Sequence, residues 1–178
     1  MSYFNHLGQA KLITAVFSSN KKRFAPYSVF MADVMKPSPT LDSHLREAIA
    51  LHVSAINGCH YCIGSHRAVL ESLGCEKNYI DLIESGESKD DKTRELLKFS
   101  RKLTLNSEKI SAEDLDNLRE LGWNDQDIED TIAITAIFAF MNRLVDGYGI
   151  KGDEKAFKLV SNSISQGGYE GISKLLGA

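Results

Sequence analysis

Proline is scarce in this sequence, and strand patterns are missing from it. The only prolines are Pro26, Pro37 and Pro39, all in the first quarter of the chain. No run alternates apolar and polar residues between turn residues, and no Asn-Gly or Asp-Gly pair joins two such runs. Apolar residues recur at helical spacing instead. The sequence therefore predicts an all-α fold.

Extremes of charge and long apolar runs are also lacking. The net charge is −3 with scattered lysines and arginines, so nothing marks a nucleic-acid partner. The longest apolar run, 132–141, is far short of the roughly 20 residues that cross a bilayer. The first residues, MSYFNHLGQAKLITAVF, do not follow the pattern of a secretory signal. We expect a soluble cytoplasmic protein, without a membrane partner, that forms a single domain over 1–178.

The helical pattern is clearest in the middle of the chain. A helix that begins at Asp42 or Ser43 carries apolar residues on one stripe, and a second helix runs from Cys59 to Gly74. Further helices are predicted over 88–105, 111–122 and 124–147, with two before Pro37, one after Asp153 and a Gly-rich tail near Gly167. The helix at 124–147 is apolar nearly all round, so we expect it to be the most buried.

Only three cysteines are present, and two of them form a C-x-x-C pair, Cys59 and Cys62. The preceding residues 57–58, Asn-Gly, separate two helical patterns, which predicts an antiparallel helix pair with the cysteines in the first turn of the second helix. Structural disulfides are rare in the cytoplasm, so such a pair is typical of catalysis, redox sensing or metal binding. The positive end of a helix favours a thiolate, and we expect it to lower the cysteine pKa.

A histidine and a glutamate fall within reach of this pair. His66 is four residues after Cys62 and faces the same way, so it can exchange a proton with that sulfur. Glu47 lies about as far up the first helix as His66 lies up the second, a difference in height of about 3 Å. We therefore expect a proton relay from Glu47 through His66 to Cys62, with Cys59 as the partner thiol.

The residues alone leave other hypotheses open. The cysteines can be inert members of a core, or Cys59, Cys62, His66 and Glu47 can form a four-ligand zinc site. A redox sensor would need the same dithiol without peroxidase turnover. Three later polar residues, Asn142, Arg143 and Asp146, are expected to serve packing or an interface rather than catalysis.

Two segments resemble a known family. EAIALHVSAINGCHYCIGSH, residues 47–66, is similar to the E-x11-C-x-x-C-x-x-x-H pattern of the AhpD-like alkylhydroperoxidase branch of the carboxymuconolactone decarboxylase superfamily. FAFMNRLVDGYGI, residues 138–150, is similar to the F-x-x-x-N-R-x-x-D-G-x-G segment of the peroxidase-related enzymes. The resemblance is clearest over residues 40–150.

That resemblance implies an AhpD-like helical bundle, with the cysteine pair at the start of a central helix, that assembles into homotrimers or hexamers. It implies a hydroperoxide substrate and a peroxide-reactive thiolate at Cys62, deprotonated through Glu47 and His66. Cys59 would then form the disulfide. The reductant would be a dithiol, a lipoylated protein or a thioredoxin-like donor, and no cofactor or metal is implied.

The sequence departs from the family pattern at one position. The prototype has a histidine directly before the second cysteine, where this chain has Tyr61, and the histidine is one residue earlier, at His60. On a helix this change moves the ring by about 100°. Decarboxylases of the superfamily generally lack the cysteine pair, which makes the lactone decarboxylase alternative weaker than the oxidoreductase one.

Overall fold

The computed structural model describes residues 1–178 and contains no strand, so the predicted all-α, AhpD-like fold is confirmed. No helix combines the length and the hydropathy that a bilayer crossing requires. The helices are α1 (Ile13–Ser19), α2 (Lys21–Val34), α3 (Ser43–Ile56), α4 (His60–Ser72), α5 (Lys77–Ser85), α6 (Asp91–Leu105), α7 (Ala112–Glu120), α8 (Asp125–Tyr148), α9 (Glu154–Gly167) and α10 (Glu170–Leu176).

Helix α3 lies at the centre of the bundle. All nine consecutive residues 46–54 are buried, because α3 packs against α4, α5, α6 and α8 on different sides. The prediction that the helix at 124–147 would be the most buried is therefore wrong. Helix α8 is apolar nearly all round, but its outer face leaves Ile132 and Phe140 exposed.

A buried arginine joins three parts of the bundle. Arg46 of α3 donates hydrogen bonds to the carbonyl oxygens of Val34 and Leu41, at 2.5 and 3.0 Å, and forms an ion pair with Asp130 of α8. Its side chain is only 2% exposed, so the charge depends on these partners. The contacts fix the end of α2 and the start of α3 against α8.

The connection between α3 and α4 brings the cysteines to a helix start, as predicted. Asn57 ends α3, and Gly58 takes a φ of 70°, a left-handed conformation that suits glycine. Cys59 is then the N-cap residue of α4, and Cys62 is its third residue. This tight connection makes α3 and α4 an antiparallel pair.

The C-terminal part differs from the sequence-based expectation. The structure has two helices after Asp153, because Gly168, with a φ of 60°, breaks the chain between α9 and α10 instead of starting an irregular tail. Helix α9 packs on α4 and α10 packs on α2. The expected Gly-rich tail is therefore part of the bundle.

The close packing of α9 on α4 depends on a glycine inside the cysteine motif. A Cβ atom at Gly64 would overlap the Phe157 ring, 2.8 Å from Cδ2 and nearer to two other ring atoms. On the other side, a Cβ at Gly152 would overlap the same ring. The ring therefore has little room to move away from α4.

We expect Gly64→Ala to lower the free energy of unfolding by about 1–3 kcal/mol, because the added methyl group overpacks against Phe157. In a Phe157→Ala background the same change should instead stabilise α4 by up to about 1 kcal/mol through helix propensity. Urea denaturation of the four proteins gives both values. An equal effect of Gly64→Ala in the two backgrounds would contradict this account.

Candidate active site at the start of helix α4

Both cysteines of the pair are buried at the N-terminus of α4. Cys59 is 0% exposed and Cys62 is 3% exposed, and each is a free thiol. Cys62 lines a cavity of about 220 Å³, whereas Cys59 does not contribute to its wall. Of the two sulfurs, Cys62 is therefore the one placed to meet a molecule in the cavity.

Glu47 and His66 are brought together across the α3–α4 pair. His66 Nδ1 and Glu47 Oε2 are 2.7 Å apart, and the residues are 4% and 2% exposed. A carboxylate only accepts hydrogen bonds, so Nδ1 carries the proton and Nε2 is the basic nitrogen. The His66 ring packs edge-on against Phe138, with ring centroids 4.6 Å apart. Like Cys62, His66 lines the cavity.

A tyrosine that the sequence analysis did not single out completes the carboxylate's contacts. The hydroxyl of Tyr169, directly before α10, donates to Glu47 Oε1 at 2.8 Å. Burial raises the pKa of Tyr169 well above its ordinary range, and the charge of Glu47 raises it further. Tyr169 is therefore a neutral donor at any ordinary pH, and each oxygen of Glu47 has a partner.

The expected lowering of the Cys62 pKa is not found. The hydrogen bond with Cys59 raises the pKa of the Cys62 thiol well above its ordinary range, burial raises it further, and the charge of Asp146 adds to both. The prediction of a stable thiolate at Cys62 is therefore wrong for this closed arrangement. The physical reasons are the hydrogen bond with the neighbouring Cys59 thiol and the position of this helix terminus inside the core.

Asn142 opposes this effect and links three elements. Its side chain forms a hydrogen bond with Cys62 that acts to lower the Cys62 pKa. The same amide group donates to Ser54 Oγ at 3.0 Å and accepts from Asn57 Nδ2 at 2.9 Å. The expected packing role thus holds, but Asn142 also contacts the reactive pair. The N-R-x-x-D-G segment was the sequence signal for it.

Tyr61 takes a structural role where the family prototype has a histidine. Its hydroxyl accepts a hydrogen bond from the backbone N–H of Ile13 at 3.2 Å, which ties α4 to the start of α1. Burial raises the pKa of Tyr61 to about 12. His60, one residue earlier, is exposed. This position therefore supplies no second base beside the cysteines.

The cavity beside Cys62 is largely apolar. Fifteen of its nineteen lining residues are hydrophobic, and they come from α1, α2, α4, α8, α9 and α10. Its polar lining consists of Ser65 and His66 on α4, next to Cys62, with Thr14 on α1 and Ser163 on α9. No group of three or more His, Cys, Asp and Glu side chains is arranged to hold a metal ion. The zinc hypothesis therefore gains no support from the geometry.

The central segment of the chain matches a known family model. Residues 25–88 are similar to the carboxymuconolactone decarboxylase family. This segment includes α3, α4 and all four residues of the predicted relay. The resemblance to the AhpD-like, peroxidase-related branch is confirmed by the relatives described next.

A curated protein that is similar to part of this chain carries a related name. The chain is 42% identical over 43 residues to the alkyl hydroperoxide reductase AhpD of Mycobacteroides abscessus. That match covers 24% of this chain and 25% of the relative, so it spans only about a quarter of that protein.

Two solved structures share most of the fold. A peroxidase-related protein from Silicibacter sp. TM1040 has a TM-score of 0.76 at 26% identity, over 82% of this chain and 78% of its own. A peroxidase-related protein with an alkylhydroperoxidase AhpD core, from Ralstonia eutropha JMP134, has a TM-score of 0.75 at 25% identity. That match covers 83% of this chain and 79% of the Ralstonia protein. The common architecture thus extends well beyond the cysteine motif.

We expect Cys59→Ala to increase the reactivity of Cys62 toward iodoacetamide at neutral pH, because it removes the largest cause of the raised pKa. In the unsubstituted protein, alkylation of Cys62 should still be rising with pH beyond about 8.5, the ordinary value for a thiol. Mass spectrometry of chains quenched at a series of pH values measures both rates. A Cys62 that alkylates as fast as free cysteine in the unsubstituted protein would contradict the raised pKa.

We expect Tyr169→Phe to cost about 1.5–3 kcal/mol of unfolding free energy, because it leaves a buried carboxylate oxygen without its donor. The cost should fall to about 1 kcal/mol in a Glu47→Gln background, where the acceptor is neutral. A double-mutant cycle in urea measures the difference. The control is Tyr148→Phe, since Tyr148 packs on Phe4 and its hydroxyl has no side-chain role at the site. Equal costs for the two tyrosines would disprove the contact's importance.

Proposed function

We propose that this protein is a thiol-dependent reductase of organic hydroperoxides. The observation that carries the proposal is that Cys62 and His66 line one apolar cavity, while Glu47 accepts a hydrogen bond from His66 Nδ1 and thereby orients the ring. A thiol, a base and a group that orients the base are the parts that a nucleophilic mechanism needs. Cys59, in contact with Cys62, supplies the second thiol.

The first step uses Cys62 as the nucleophile. Its sulfur attacks the terminal oxygen of ROOH, a sulfur–oxygen bond forms, and the oxygen–oxygen bond breaks. His66 Nε2 takes the thiol proton and returns it to the leaving alkoxide, which departs as ROH. Glu47 stabilises the transient imidazolium through its bond to Nδ1. The raised pKa of Cys62 makes this proton transfer necessary, because little thiolate exists before the substrate arrives.

The second step uses Cys59. Its sulfur attacks the sulfenic acid on Cys62, the disulfide forms, and the hydroxyl leaves with the Cys59 proton as water. A dithiol donor then reduces the disulfide by exchange. The sum is ROOH plus dithiol giving ROH, water and a disulfide. A lipoylated protein or a thioredoxin-like protein fits the donor's chemistry, and the cytoplasm is the compartment that supplies such donors.

Names of the relatives support the same activity. The Mycobacteroides abscessus relative is an alkyl hydroperoxide reductase, although the match spans about a quarter of it. Both structural neighbours are called peroxidase-related. We further propose a homo-oligomer, because Val29 and Phe30 of α2 and Phe140 of α8 are exposed apolar side chains.

A second candidate is a thiol–disulfide redox sensor on the same fold. The raised pKa of Cys62 favours it, because a protonated thiol reacts slowly with peroxide unless a base assists. The two functions differ in whether His66 accelerates the reaction. A sensor would oxidise at the rate of an ordinary thiol, and loss of His66 would not slow it further.

Thiol counting after one equivalent of an organic hydroperoxide tests the proposal. We expect two thiols per chain to disappear within seconds, and His66→Gln to slow this loss by about 100-fold, in line with the contribution of a general base. Cys75, which is half-buried just beyond the C-terminal end of α4, should remain reduced. Loss at the rate of free cysteine, unaffected by His66→Gln, would instead support the sensor.

Trapping of the sulfenic acid assigns the order of the cysteines. Dimedone should label Cys62 in the Cys59→Ser protein, and it should not label Cys59 in the Cys62→Ser protein. The opposite labelling would reverse the two roles while leaving the reductase function in place. Peroxide turnover with dithiothreitol, dihydrolipoamide and thioredoxin as donors then identifies the class of reductant.

A further inference from the structure

One buried polar side chain in the cavity has no hydrogen-bond partner inside the protein. Ser65 lies on α4 between Cys62 and His66, lines the cavity, and is 6% exposed. Its hydroxyl makes no hydrogen bond. Only two other buried side-chain polar atoms in the structure lack a partner, on His52 and Ser173, and neither residue lines the cavity.

The nearest hydroxyl does not satisfy Ser65. Ser65 lies close enough to the Tyr61 phenol to lower the Tyr61 pKa by a weak polar contact, but the Ser65 oxygen has no partner within hydrogen-bonding distance and angle. Tyr61 instead accepts from the backbone of Ile13. An unpartnered buried hydroxyl costs about 1–3 kcal/mol, so it is unusual in a native core. Its position beside Cys62 and His66 indicates that a ligand oxygen is its missing partner.

The remaining wall determines what can carry that oxygen. No Asp, Glu, Lys or Arg lines the cavity, so a charged substituent would lose its hydration without gaining an ion pair. The volume of about 220 Å³ exceeds the roughly 150 Å³ of an apolar cavity that accepts benzene. A phenyl ring with a short branched substituent therefore suits the space.

We propose that Ser65 binds the hydroperoxy group of an uncharged, aryl-sized hydroperoxide, which deepens the proposed reductase function and rests on it. The Ser65 hydroxyl donates to the oxygen bonded to carbon. When the Cys62 sulfur bonds the terminal oxygen and the oxygen–oxygen bond breaks, negative charge develops on this carbon-bound oxygen. The hydrogen bond strengthens at that moment, and His66 then delivers the proton that completes the alcohol.

Single-turnover oxidation of the full chain by cumene hydroperoxide tests the role of Ser65. We expect Ser65→Ala to slow thiol loss by about 10- to 100-fold, the value of a hydrogen bond to a developing charge. Alkylation of Cys62 by iodoacetamide should not change, because Ser65 does not take part in deprotonating the thiol. The matched control is Ser173→Ala, which removes the other unpartnered buried serine hydroxyl from outside the cavity and should change neither rate.

Substrate selection tests the apolar wall in the same assay. The unsubstituted protein should prefer cumene hydroperoxide to hydrogen peroxide, and also to a cumene hydroperoxide that carries a carboxylate on the ring. Ser65→Ala should slow all three reactions without changing their order, because the apolar wall remains. A preference for the charged or the smallest peroxide would overturn the proposed substrate class.

Binding of the alcohol product separates this proposal from the reductase function. Calorimetric titration with 2-phenyl-2-propanol should show binding to the unsubstituted protein and about 10-fold weaker binding to Ser65→Ala. If the protein reduces cumene hydroperoxide but Ser65→Ala matches it in rate and binding, the Ser65 proposal fails and the reductase function stands. If no peroxide reacts, the reductase function fails. If, in addition, the unsubstituted protein and Ser65→Ala bind the alcohol equally or not at all, the role of Ser65 is overturned as well.

Discussion

The hydrogen bond between Glu47 and His66 is the contact on which the site depends. It joins α3 to α4 inside the core, where an unpaired carboxylate or imidazolium would be costly. The tight connection through Gly58 sets the two helices in the register that makes this bond. Tyr169 donates a hydrogen bond to the second oxygen of Glu47, so the carboxylate is held in place where it can stabilise a positive charge on His66.

Two opposing effects act on Cys62, and their magnitudes decide its state. The N-terminus of a helix stabilises an anion by at most about 2 kcal/mol, the equivalent of little more than one pKa unit. The hydrogen bond with Cys59 raises the Cys62 pKa most, and burial, which can raise a pKa by about 3–5 units for a fully buried group, acts in the same direction. Together these two effects exceed that of the helix, so the site holds Cys62 as a thiol. Ionisation is thereby made dependent on His66 instead of on the helix.

The central helix pair was accessible from the sequence, and the outer parts were not. Apolar spacing and the Asn-Gly turn located α3 and α4, and the rise per residue placed Glu47 level with His66. Helix α5 is missing from the sequence-based prediction because it is only nine residues long, Lys77–Ser85, too short to give an extended helical repeat. Which of α3 and α8 is more buried depends on how many other helices surround each one. The spacing of apolar residues along the sequence does not contain that information. The contact of Tyr169 with Glu47 spans 122 residues, beyond the range of any local pattern.

That long separation has a consequence for the newly made chain. Synthesis proceeds from the N-terminus, so the cysteine pair leaves the ribosome well before α9 and α10 exist to cover it. Until Tyr169 emerges, Glu47 lacks one donor and the apolar pocket has an open side. The nascent protein therefore passes through a stage in which the pocket beside Cys62 is open to the surrounding solution, and this stage ends when α10 closes the bundle.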